Sequence, residues 1–402
     1  MSSTQGMHDV VVVGGGPVGG HVASLVARKG FDVLILEEHG KVGEPVQCAG
    51  IFSPKVLELV GCEDAVLNRI RGADVFSPKG VRLELTAKEP KAVVVDRGRF
   101  DNVVVERALK DGARMMRGAK ALGARKGDNG IDISLLQKGA RGNIRTKLRT
   151  KLLIGADGVA SNVARWSGLQ RAPVVLPGVQ DELEGVDLED DRVKIFTGRE
   201  IAPGFFAWLV PAGQRVRVGL CTRKGAPAYL RRMHNGVVTS KHLEGGRVVG
   251  TLGGAIPMGI LKRTETDRVM LVGDAAAQVK ATSGGGIYPG LVCAGHCAQT
   301  AIEALESGDL SERALSSYHD RWTADIGKEL RKDWRLYKLY QTFDDAKIEK
   351  AFRLLNKPKV LRLIEERGDI DFPSKLALPI ARKEPRLLGF ATRSLAEYIL
   401  RH

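Results

Sequence analysis

The start of the chain alternates between short apolar runs and apolar residues at helical spacing. Residues 9–13 form a β-branched run, which is typical of a strand buried in a parallel sheet. Residues 21–29 carry apolar side chains at helical spacing, Gly30 ends that helix, and residues 31–36 form a second apolar run. This order of strand, helix and strand predicts a βαβ unit at the start of the chain.

Several glycines lie in the turn between the first strand and the helix. Gly14, Gly16 and Gly19 match the pattern G-x-G-x-x-G between a strand and a helix. The first glycine permits a tight turn, the second lets a pyrophosphate approach the backbone, and the third lets helix and strand pack closely. Glu37 ends the second strand, 23 positions after Gly14, where its carboxylate can accept ribose hydroxyls. The sequence therefore predicts an ADP-ribose site, with the helix N-terminus facing the phosphates.

Two later apolar strands also end in small and acidic residues. Residues 151–165 contain a strand that opens into Gly-Ala-Asp-Gly at 155–158, and residues 268–277 contain one that ends in Gly273 and Asp274. Asp274 can turn its carboxylate to a ribityl hydroxyl, while the small residues after it let the backbone approach phosphates. Together the three segments resemble the fingerprints of the FAD-binding fold shared by flavin hydroxylases and related reductases. That resemblance predicts FAD as the cofactor in preference to NAD. The sequence contains no second strand–G-x-G-x-x-G–helix unit, which argues against a separate nicotinamide-binding domain.

A strand-rich region separates the second of these segments from the third. Short apolar runs within residues 178–254 are typical of an antiparallel sheet, and the sequence from residue 310 onwards predicts helices interrupted at prolines. We expect an α/β fold: an FAD-binding Rossmann-like domain (GR2, p-hydroxybenzoate hydroxylase-like) with an inserted antiparallel β-sheet substrate domain and a helical C-terminal region. The expected parts are residues 1–175 (FAD domain, with 71–95 contributing to the substrate sheet), 176–254 (substrate domain), 255–309 (FAD domain again) and 310–402 (helical region).

Composition places the chain among globular proteins. Its 402 residues are 43% hydrophobic and 27% charged, which suits two or three domains at about 150 residues each. No apolar stretch approaches the ~20 residues that span a bilayer, and residues 1–8 lack the features of a signal peptide. Five cysteines in a chain of this length suit a reducing compartment. These features predict a cytoplasmic protein.

The net charge of +15 points to an anionic partner: a nucleic acid, a lipid surface or a phosphorylated substrate. With 5% aromatic residues and no recognised binding motif, we expect no nucleic-acid partner. The tail from residue 357 to residue 402 interleaves leucines with arginines and lysines. Two interpretations of this tail stay open: a peripheral face on the inner side of the cell membrane, and an amphipathic helical cap over the substrate domain.

Two further segments narrow the resemblance. Residues 43–50 follow the second strand and residues 280–290 follow Asp274; together with residues 269–277 they resemble the geranylgeranyl reductase family. Members of that family carry an aromatic–x–Trp–x–Phe–Pro element on the substrate sheet. Phe206, Trp208 and Pro211 correspond to it here, although Phe replaces the usual Tyr at 206 and Val210 replaces the usual Phe. By resemblance, these residues bind substrate and line an isoprenoid channel.

The resemblance also implies which residues contact FAD. They are Val18, Glu37, Cys48, Ala49, Ile51, Arg97, Asp274, Gly286 and Ile287, in addition to the glycine turn. The Arg97 guanidinium is suited to pairing with the pyrophosphate, although Arg99 competes for this role and a surface salt bridge is the simpler alternative. Backbone amides at 285–287, where a helix begins, can stabilise negative charge on the reduced flavin.

The chemistry implied by the resemblance is reduction of C=C double bonds in geranylgeranyl chains of membrane lipid precursors. Reduced flavin N5 would deliver a hydride to one carbon, and a side chain or water a proton to the other. Cys48 and Tyr288 are the expected catalytic residues, and no metal site is expected. Cys48 has two alternative interpretations: a redox thiol paired with Cys293 or Cys297, and a residue of the core. The electron donor is expected to be ferredoxin-, F420- or NADPH-linked.

Two other functions remain as alternatives. A flavin monooxygenase acting on an apolar substrate would use the same FAD domain with a nicotinamide reductant. A non-catalytic prenyl-lipid carrier, built on a fold like that of the GDP-dissociation inhibitors, would need no flavin. The intact Gly14, Glu37 and Asp274 argue against the carrier.

Overall fold

The computed structural model describes residues 6–139, 142–236 and 239–401, with side chains described as far as residue 393. The strands in this part of the chain are β1 (His8–Val13), β2 (Val33–Glu37), β3 (Ile51–Phe52), β4 (Val66–Ile70), β5 (Gly72–Phe76), β6 (Arg82–Thr86), β7 (Ala92–Val95), β8 (Arg114–Arg117), β9 (Ala119–Lys126), β10 (Ile131–Gly139), β11 (Gly142–Gly155), β12 (Val174–Glu184), β13 (Arg192–Thr197), β14 (Phe206–Ala212), β15 (Arg215–Cys221), β16 (Arg247–Met258), β17 (Glu265–Thr266) and β18 (Val269–Leu271). The α-helices are α1 (Pro17–Ala27), α2 (Pro54–Val60), α3 (Arg97–Lys110), α4 (Asn162–Trp166), α5 (Ala226–Asn235), α6 (Ile287–Ser307), α7 (Glu312–Trp322), α8 (Lys328–Gln341), α9 (Asp345–Leu355), α10 (Pro358–Arg367), α11 (Ala377–Lys383) and α12 (Pro385–Arg401).

The first sheet is built on the N-terminal βαβ unit. Strand β1 lies between β11 and β2, with β18 and β8 beyond them, and all five strands run parallel. The valines of β1 are almost fully buried because helices cover the sheet; α1 packs against both α3 and α6. Helix α1 begins at Pro17, earlier than the apolar spacing alone predicts, since proline suits the first helical position. This arrangement brings the carboxyl ends of β1, β2 and β18 to one edge of the sheet.

The second sheet has seven strands in the order β16-β12-β15-β14-β13-β5-β6. Alternate residues of β14 face opposite sides. Trp208 and Val210 belong to a core on the side of the first sheet, while Ala207 and Leu209 pack under α5. The pairs are antiparallel except that β13 and β5 run parallel, which the expectation of a purely antiparallel sheet missed.

Strands β5 and β6 bring residues 72–86 into the second sheet, which also extends from residue 174 to residue 258. Strand β7 pairs instead with β3 and β4 in a small third sheet. The division of the chain into domains stays a prediction.

The C-terminal helices pack on both larger sheets. Helix α7 reaches the first sheet, where the Tyr318 hydroxyl donates to the Leu271 carbonyl oxygen at 2.9 Å. Helices α9 and α10 cover strand β6, where Leu83, Ile348 and Phe352 form a small buried cluster. Part of the tail is thus a cap over the second sheet. None of the helices in the described ranges combines the length and the apolar composition that crossing a bilayer requires.

Candidate active site

One large cavity joins the first sheet to the second. Its volume is about 1120 Å³, and it runs from the glycine turn after β1 to the apolar face of β12, β13 and β14. The loop at 368–371, between α10 and the C-terminal helices, forms part of its wall. The end at the first sheet carries charged groups, whereas the end at the second sheet is lined mainly by apolar side chains.

The three glycines of the motif are required for different structural reasons. Gly14 has φ +109°, and a Cβ there would lie 2.2 Å from the carbonyl oxygen of Ala156. A Cβ at Gly19 would lie 2.2 Å from the carbonyl oxygen of Gly14, so both glycines are required by the packing of the protein itself. A Cβ at Gly16 would meet no protein atom within 4 Å. The space beside Gly16 is therefore available to a ligand.

Glu37 is held rigidly at the end of β2. Its side chain is buried, and one carboxylate oxygen accepts a hydrogen bond from the Gly15 amide at 2.8 Å. The other oxygen accepts from the His39 amide, also at 2.8 Å. His39 Nδ1 also lies 2.7 Å from this second oxygen. The oxygen bonded to Gly15 can accept a further hydrogen bond, so Glu37 is able to bind a ligand hydroxyl without losing these contacts.

Arg97 places a fixed positive charge in the cavity wall. Its guanidinium makes two hydrogen bonds to the Asp101 carboxylate, at 3.0 and 2.9 Å. Burial opposes the charge, but Asp101 and the Cys48 thiol outweigh it and raise the pKa of Arg97. Arg99 is exposed and pairs with Asp64 at 2.8 Å, so the competing arginine does not reach the cavity.

Asp274 follows β18 at the same edge of the sheet and lines the cavity. Burial raises its pKa to about 6, while Arg97 acts in the opposite direction. Within the described ranges no group donates a hydrogen bond to its carboxylate, and a Cβ at Gly286 would lie 2.8 Å from its Oδ1 atom. The absence of a side chain at Gly286 thus leaves the Asp274 carboxyl free for a ligand donor.

These groups fit FAD. The open turn at Gly16 and the anchored Glu37 suit its ADP half, Arg97 suits the pyrophosphate, and the unpartnered Asp274 suits a ribityl hydroxyl. Helix α6 begins beside Asp274, where its N-terminal end favours negative charge. The other residues expected to contact FAD also line the cavity: Val18, Cys48, Ala49, Ile51, Gly286 and Ile287.

Both residues predicted to be catalytic line the cavity. Cys48 is half-buried, and its Sγ accepts a hydrogen bond from the Gly50 amide at 3.3 Å. Tyr288 lies in the first turn of α6, with the Lys55 ammonium 5.8 Å from its ring centroid. Burial and Asp371 raise the pKa of Tyr288 against the opposing charge of Lys55, so its phenol keeps its proton at neutral pH.

Cys293 and Cys297 lie elsewhere. Both are fully buried on the face of α6 that packs with Val10 and Val12 of the first sheet, and burial raises the pKa of both thiols. This environment favours their interpretation as small core residues over that of redox partners for Cys48. The described residues contain no group of three side chains arranged to hold a metal ion.

Two of the three residues predicted to bind substrate reach the cavity. Phe206 and Trp208 line it, and Trp208 packs on Gly219, where a Cβ would lie 2.6 Å from the indole ring. Pro211 does not line it, because an odd-numbered position on β14 belongs to the opposite face of the sheet. The family element therefore contributes two aromatic rings to the cavity and one residue to the sheet.

Arg217 was not anticipated from the sequence. It is 6% exposed, and its Nη1 donates to the Ala49 carbonyl at 2.7 Å and to the Val95 carbonyl at 3.1 Å. Its Nε lies 3.4 Å from Glu182. The side chain thus ties β15 of the second sheet to the loop that carries Cys48. The available signal was its position on a strand, two residues before Gly219 and therefore on the same face of β15.

We expect the Arg217→Met substitution to weaken FAD binding about 10-fold and to lower the free energy of unfolding by about 2 kcal/mol. The reason is that two carbonyl oxygens and Glu182 lose a charged donor. Fluorescence titration with FAD and denaturant unfolding measure the two effects. Arg215→Met is the matched control on the same strand: Arg215 is exposed, and its ion pairs contribute little. Equal FAD affinity in both variants would contradict this role of Arg217.

Two ion pairs hold the loop at 368–371 over the cavity. The Lys280 ammonium, buried beside the loop that precedes α6, lies 2.7 Å from Asp371 and also donates to the Ile370 carbonyl at 2.8 Å. Lys55 lies 2.7 Å from Asp369. The C-terminal region therefore closes one side of the cavity, a contact that the sequence did not indicate.

Comparison with known proteins gives the same fold. Residues 7–189 match the family model described as FAD binding domain. The chain is 32% identical to digeranylgeranylglycerophospholipid reductase 2 of Methanopyrus kandleri, over 95% of this chain and 98% of that protein.

Two solved structures resemble the whole chain. A geranylgeranyl bacteriochlorophyll reductase-like protein from Thermoplasma acidophilum superposes with a TM-score of 0.82 at 23% identity, over 96% of this chain and 99% of that one. For p-nitrophenol 4-monooxygenase from Pseudomonas putida the TM-score is 0.70 at 21% identity, over 90% and 97%. The predicted fold class is therefore confirmed. Reductases and monooxygenases share this fold, so the structural likeness alone does not separate them.

Proposed function

The chain belongs to the geranylgeranyl reductase family, and from that premise we propose that it is an FAD-dependent reductase that saturates C=C bonds in the geranylgeranyl chains of membrane lipid precursors. The observation that carries this proposal is that one continuous cavity of about 1120 Å³ contains both the groups that suit FAD and an apolar wall. An isoprenoid chain needs such a wall, because it can be held only by apolar contact and the exclusion of water.

When bound and reduced by two electrons from the donor, FAD would supply the hydride that is added to one carbon of each double bond. The chain's own residues perform the remaining tasks. Gly16, Glu37, Arg97 and Asp274 hold the cofactor, and the rings of Phe206 and Trp208 hold the prenyl chain. Cys48 or Tyr288 provides or orients the proton for the second carbon. The reduction of one bond thus consumes one hydride, which carries both electrons from the cofactor, and one proton.

The partners of the reaction follow from the same premise. The sequence carries one dinucleotide motif, so electrons reach the cofactor from a separate ferredoxin-, F420- or NADPH-linked donor. We place the protein in the cytoplasm, with peripheral contact to the inner face of the membrane where its substrate resides. Leu378 and Leu388 support this contact, since they are 60% and 58% exposed on helices that also carry arginines and lysines.

The test is an anaerobic single-turnover experiment with the purified holoprotein. Dithionite reduces the protein, excess reductant is removed, and a geranylgeranyl glycerophospholipid is added while the flavin spectrum and the lipid mass are followed. We expect reoxidation of the flavin in step with a gain of about two hydrogens per saturated bond. A detergent micelle without lipid is the control.

Two results would contradict this function. If the flavin stays reduced until oxygen enters and the product then gains an oxygen atom, the protein is a monooxygenase. If the purified protein binds the lipid but no FAD under any condition, the carrier interpretation replaces the catalytic one.

A further inference from the structure

Gln180 presents an unusual polar group to the cavity. It lies on β12, is 5% exposed, and its Oε1 accepts a hydrogen bond from the Trp208 indole Nε1 at 3.0 Å. An indole N–H can only donate, so the amide oxygen of Gln180 must face Trp208 and the NH₂ group must face the other way. Within the described ranges no protein atom accepts a hydrogen bond from this Nε2.

The register of the second sheet places Gln180 in the middle of its cavity face. Gln180 pairs with Leu252 of β16 on one side and with Gly219 of β15 on the other. Residues two apart on a strand share a face, so Gly254 and Arg217 belong to this same face, on either side of the row that contains Gln180.

The loop that carries Cys48 crosses this face. A Cβ at Gly254 would lie 2.8 Å from the carbonyl oxygen of Gln47, and Arg217 donates to the carbonyl of Ala49. Cys48 lies between these two anchored residues, which puts it over the row of Gln180. The unpartnered amide therefore belongs to the part of the cavity where the proposed reduction takes place.

The surroundings of this amide are apolar. Val193, Ile195 and Phe206 line the same wall of the cavity. A buried N–H without an acceptor costs free energy, and the hydrocarbon part of a prenyl chain offers no acceptor. An acceptor for this amide can therefore come only from a molecule bound in the cavity.

We propose that the Gln180 amide is a specificity-determining donor that binds an uncharged oxygen beside Cys48. The proposal rests on the proposed function, since it concerns the substrate of that reaction. The oxygen has two sources. One is the oxygen on the first carbon of the prenyl chain, two bonds from the nearest double bond. The other is a water that gives its proton to one alkene carbon while the hydride goes to the other, its hydroxide being reprotonated from bulk solvent.

Two substitutions separate the donor from the support of Trp208. Gln180→Glu keeps an oxygen for the Trp208 indole but removes the NH₂ group, whereas Gln180→Leu removes both. Gln299→Leu changes an exposed glutamine of α6 and serves as the control. In single-turnover reduction we expect both Gln180 variants to slow saturation about 10-fold or more, and Gln299→Leu to match the wild type.

The choice of substrate distinguishes the two oxygens. If the substrate oxygen is bound, only the double bond next to it is reduced slowly in the variants, and a geranylgeranyl hydrocarbon that lacks the oxygen is reduced at the wild-type rate. If water is bound, all double bonds of both substrates slow alike and the solvent deuterium isotope effect increases. Unchanged rates and product distributions in Gln180→Glu would overturn the proposal.

A second readout is independent of activity. In FAD-free protein labelled with ¹⁵N, the indole resonance of Trp208 is assigned with Trp208→Phe and followed during titration with a short prenyl glycerol ether. We expect the ether to shift the side-chain amide resonances of Gln180 in the wild type, whereas a hydrocarbon of equal length shifts the Trp208 indole resonance but leaves the Gln180 amide resonances unchanged. Identical responses to the two compounds would overturn binding of the substrate oxygen. If the wild type reduces no lipid, this titration still tests whether the Gln180 amide binds the substrate oxygen. Failure of the proposed reductase function can therefore be distinguished from failure of the proposed role of Gln180.

Discussion

Gly16→Ala is expected to leave the FAD-free protein as stable as the wild type and to weaken FAD binding about 100-fold, equivalent to ~2.7 kcal/mol. The added methyl group meets no protein atom within 4 Å, so it creates no strain in the empty protein. It does occupy the space through which the pyrophosphate approaches the backbone at the start of α1. FAD affinity is measured by quenching of flavin fluorescence, and stability by thermal unfolding of the FAD-free protein.

Two other glycine substitutions serve as controls for the effect of Gly16→Ala on FAD binding and on stability. Gly295→Ala, on α6, also meets no atom within 4 Å, and we expect it to keep wild-type FAD affinity. Gly19→Ala would bring a Cβ within 2.2 Å of the Gly14 carbonyl oxygen, so we expect it to destabilise the protein itself. If Gly16→Ala binds FAD as tightly as the wild type, the pyrophosphate does not pass this turn and the assignment of the site is wrong.

The parts of the site that sequence reasoning anticipated are those encoded within a short segment. The turn at Gly14 and Gly16 is one example, because a strand, three spaced glycines and a helix all lie within about twenty residues. Glu37 and Asp274 are further examples, since each is an acid at the end of an apolar strand. The carboxyl ends of parallel strands meet at one edge of the sheet, so strand order alone brings these residues together.

The parts that were missed arise from contacts between distant segments. Arg217 and Ala49 are far apart in sequence, and nothing near either residue indicates that they meet. The same holds for Lys280 and Asp371, which join the cavity to the C-terminal region. For Pro211, in contrast, a contact was predicted that the structure does not show. The family pattern suggested a substrate contact, but the alternation of side chains along β14 puts Pro211 on the face of the sheet that points away from the cavity.

The C-terminal region illustrates how tertiary structure decides between sequence interpretations. Its mixture of leucines and basic residues suited both a membrane face and a cap. Residues of α9 and α10 pack on β6, and Thr86 and Glu365 join the cap to that strand at 3.0 Å. Leu378 and Leu388 remain exposed beyond this cap. The tail therefore provides a cap in one part and an exposed apolar surface in another, which amphipathic patterning alone does not separate.

Another consequence of the cap is a buried acid on α8. Asp333 is 0% exposed, and within the described ranges neither of its carboxylate oxygens has a hydrogen-bond partner. Burial, reinforced by Glu329, raises its pKa to about 7, whereas Lys280 and the nearby Thr282 hydroxyl act in the opposite direction. Asp333 is therefore uncharged in the folded protein at pH values where the unfolded chain has already lost the proton.

The sign of the resulting pH dependence follows from proton binding. Between the ordinary aspartate pKa of 3.8 and about 7, the folded state holds a proton that the unfolded state has released, so stability falls as pH rises through this window. The loss is complete above pH 7. Three pKa units correspond to a loss of about 4 kcal/mol across the whole window.

We therefore expect Asp333→Asn to gain stability relative to the wild type as pH rises, by about 4 kcal/mol between pH 4 and pH 8.5. The amide has its own cost of burial, but that cost is the same at both pH values and cancels in the comparison. Denaturant unfolding of the FAD-free proteins at the two pH values measures the change. Asp128→Asn, at an exposed turn, is the control and is expected to show no such difference. If the free energy of unfolding of the wild type changes with pH in parallel with that of Asp333→Asn, Asp333 is ionised in the folded protein. A donor outside the described contacts would then stabilise its charge.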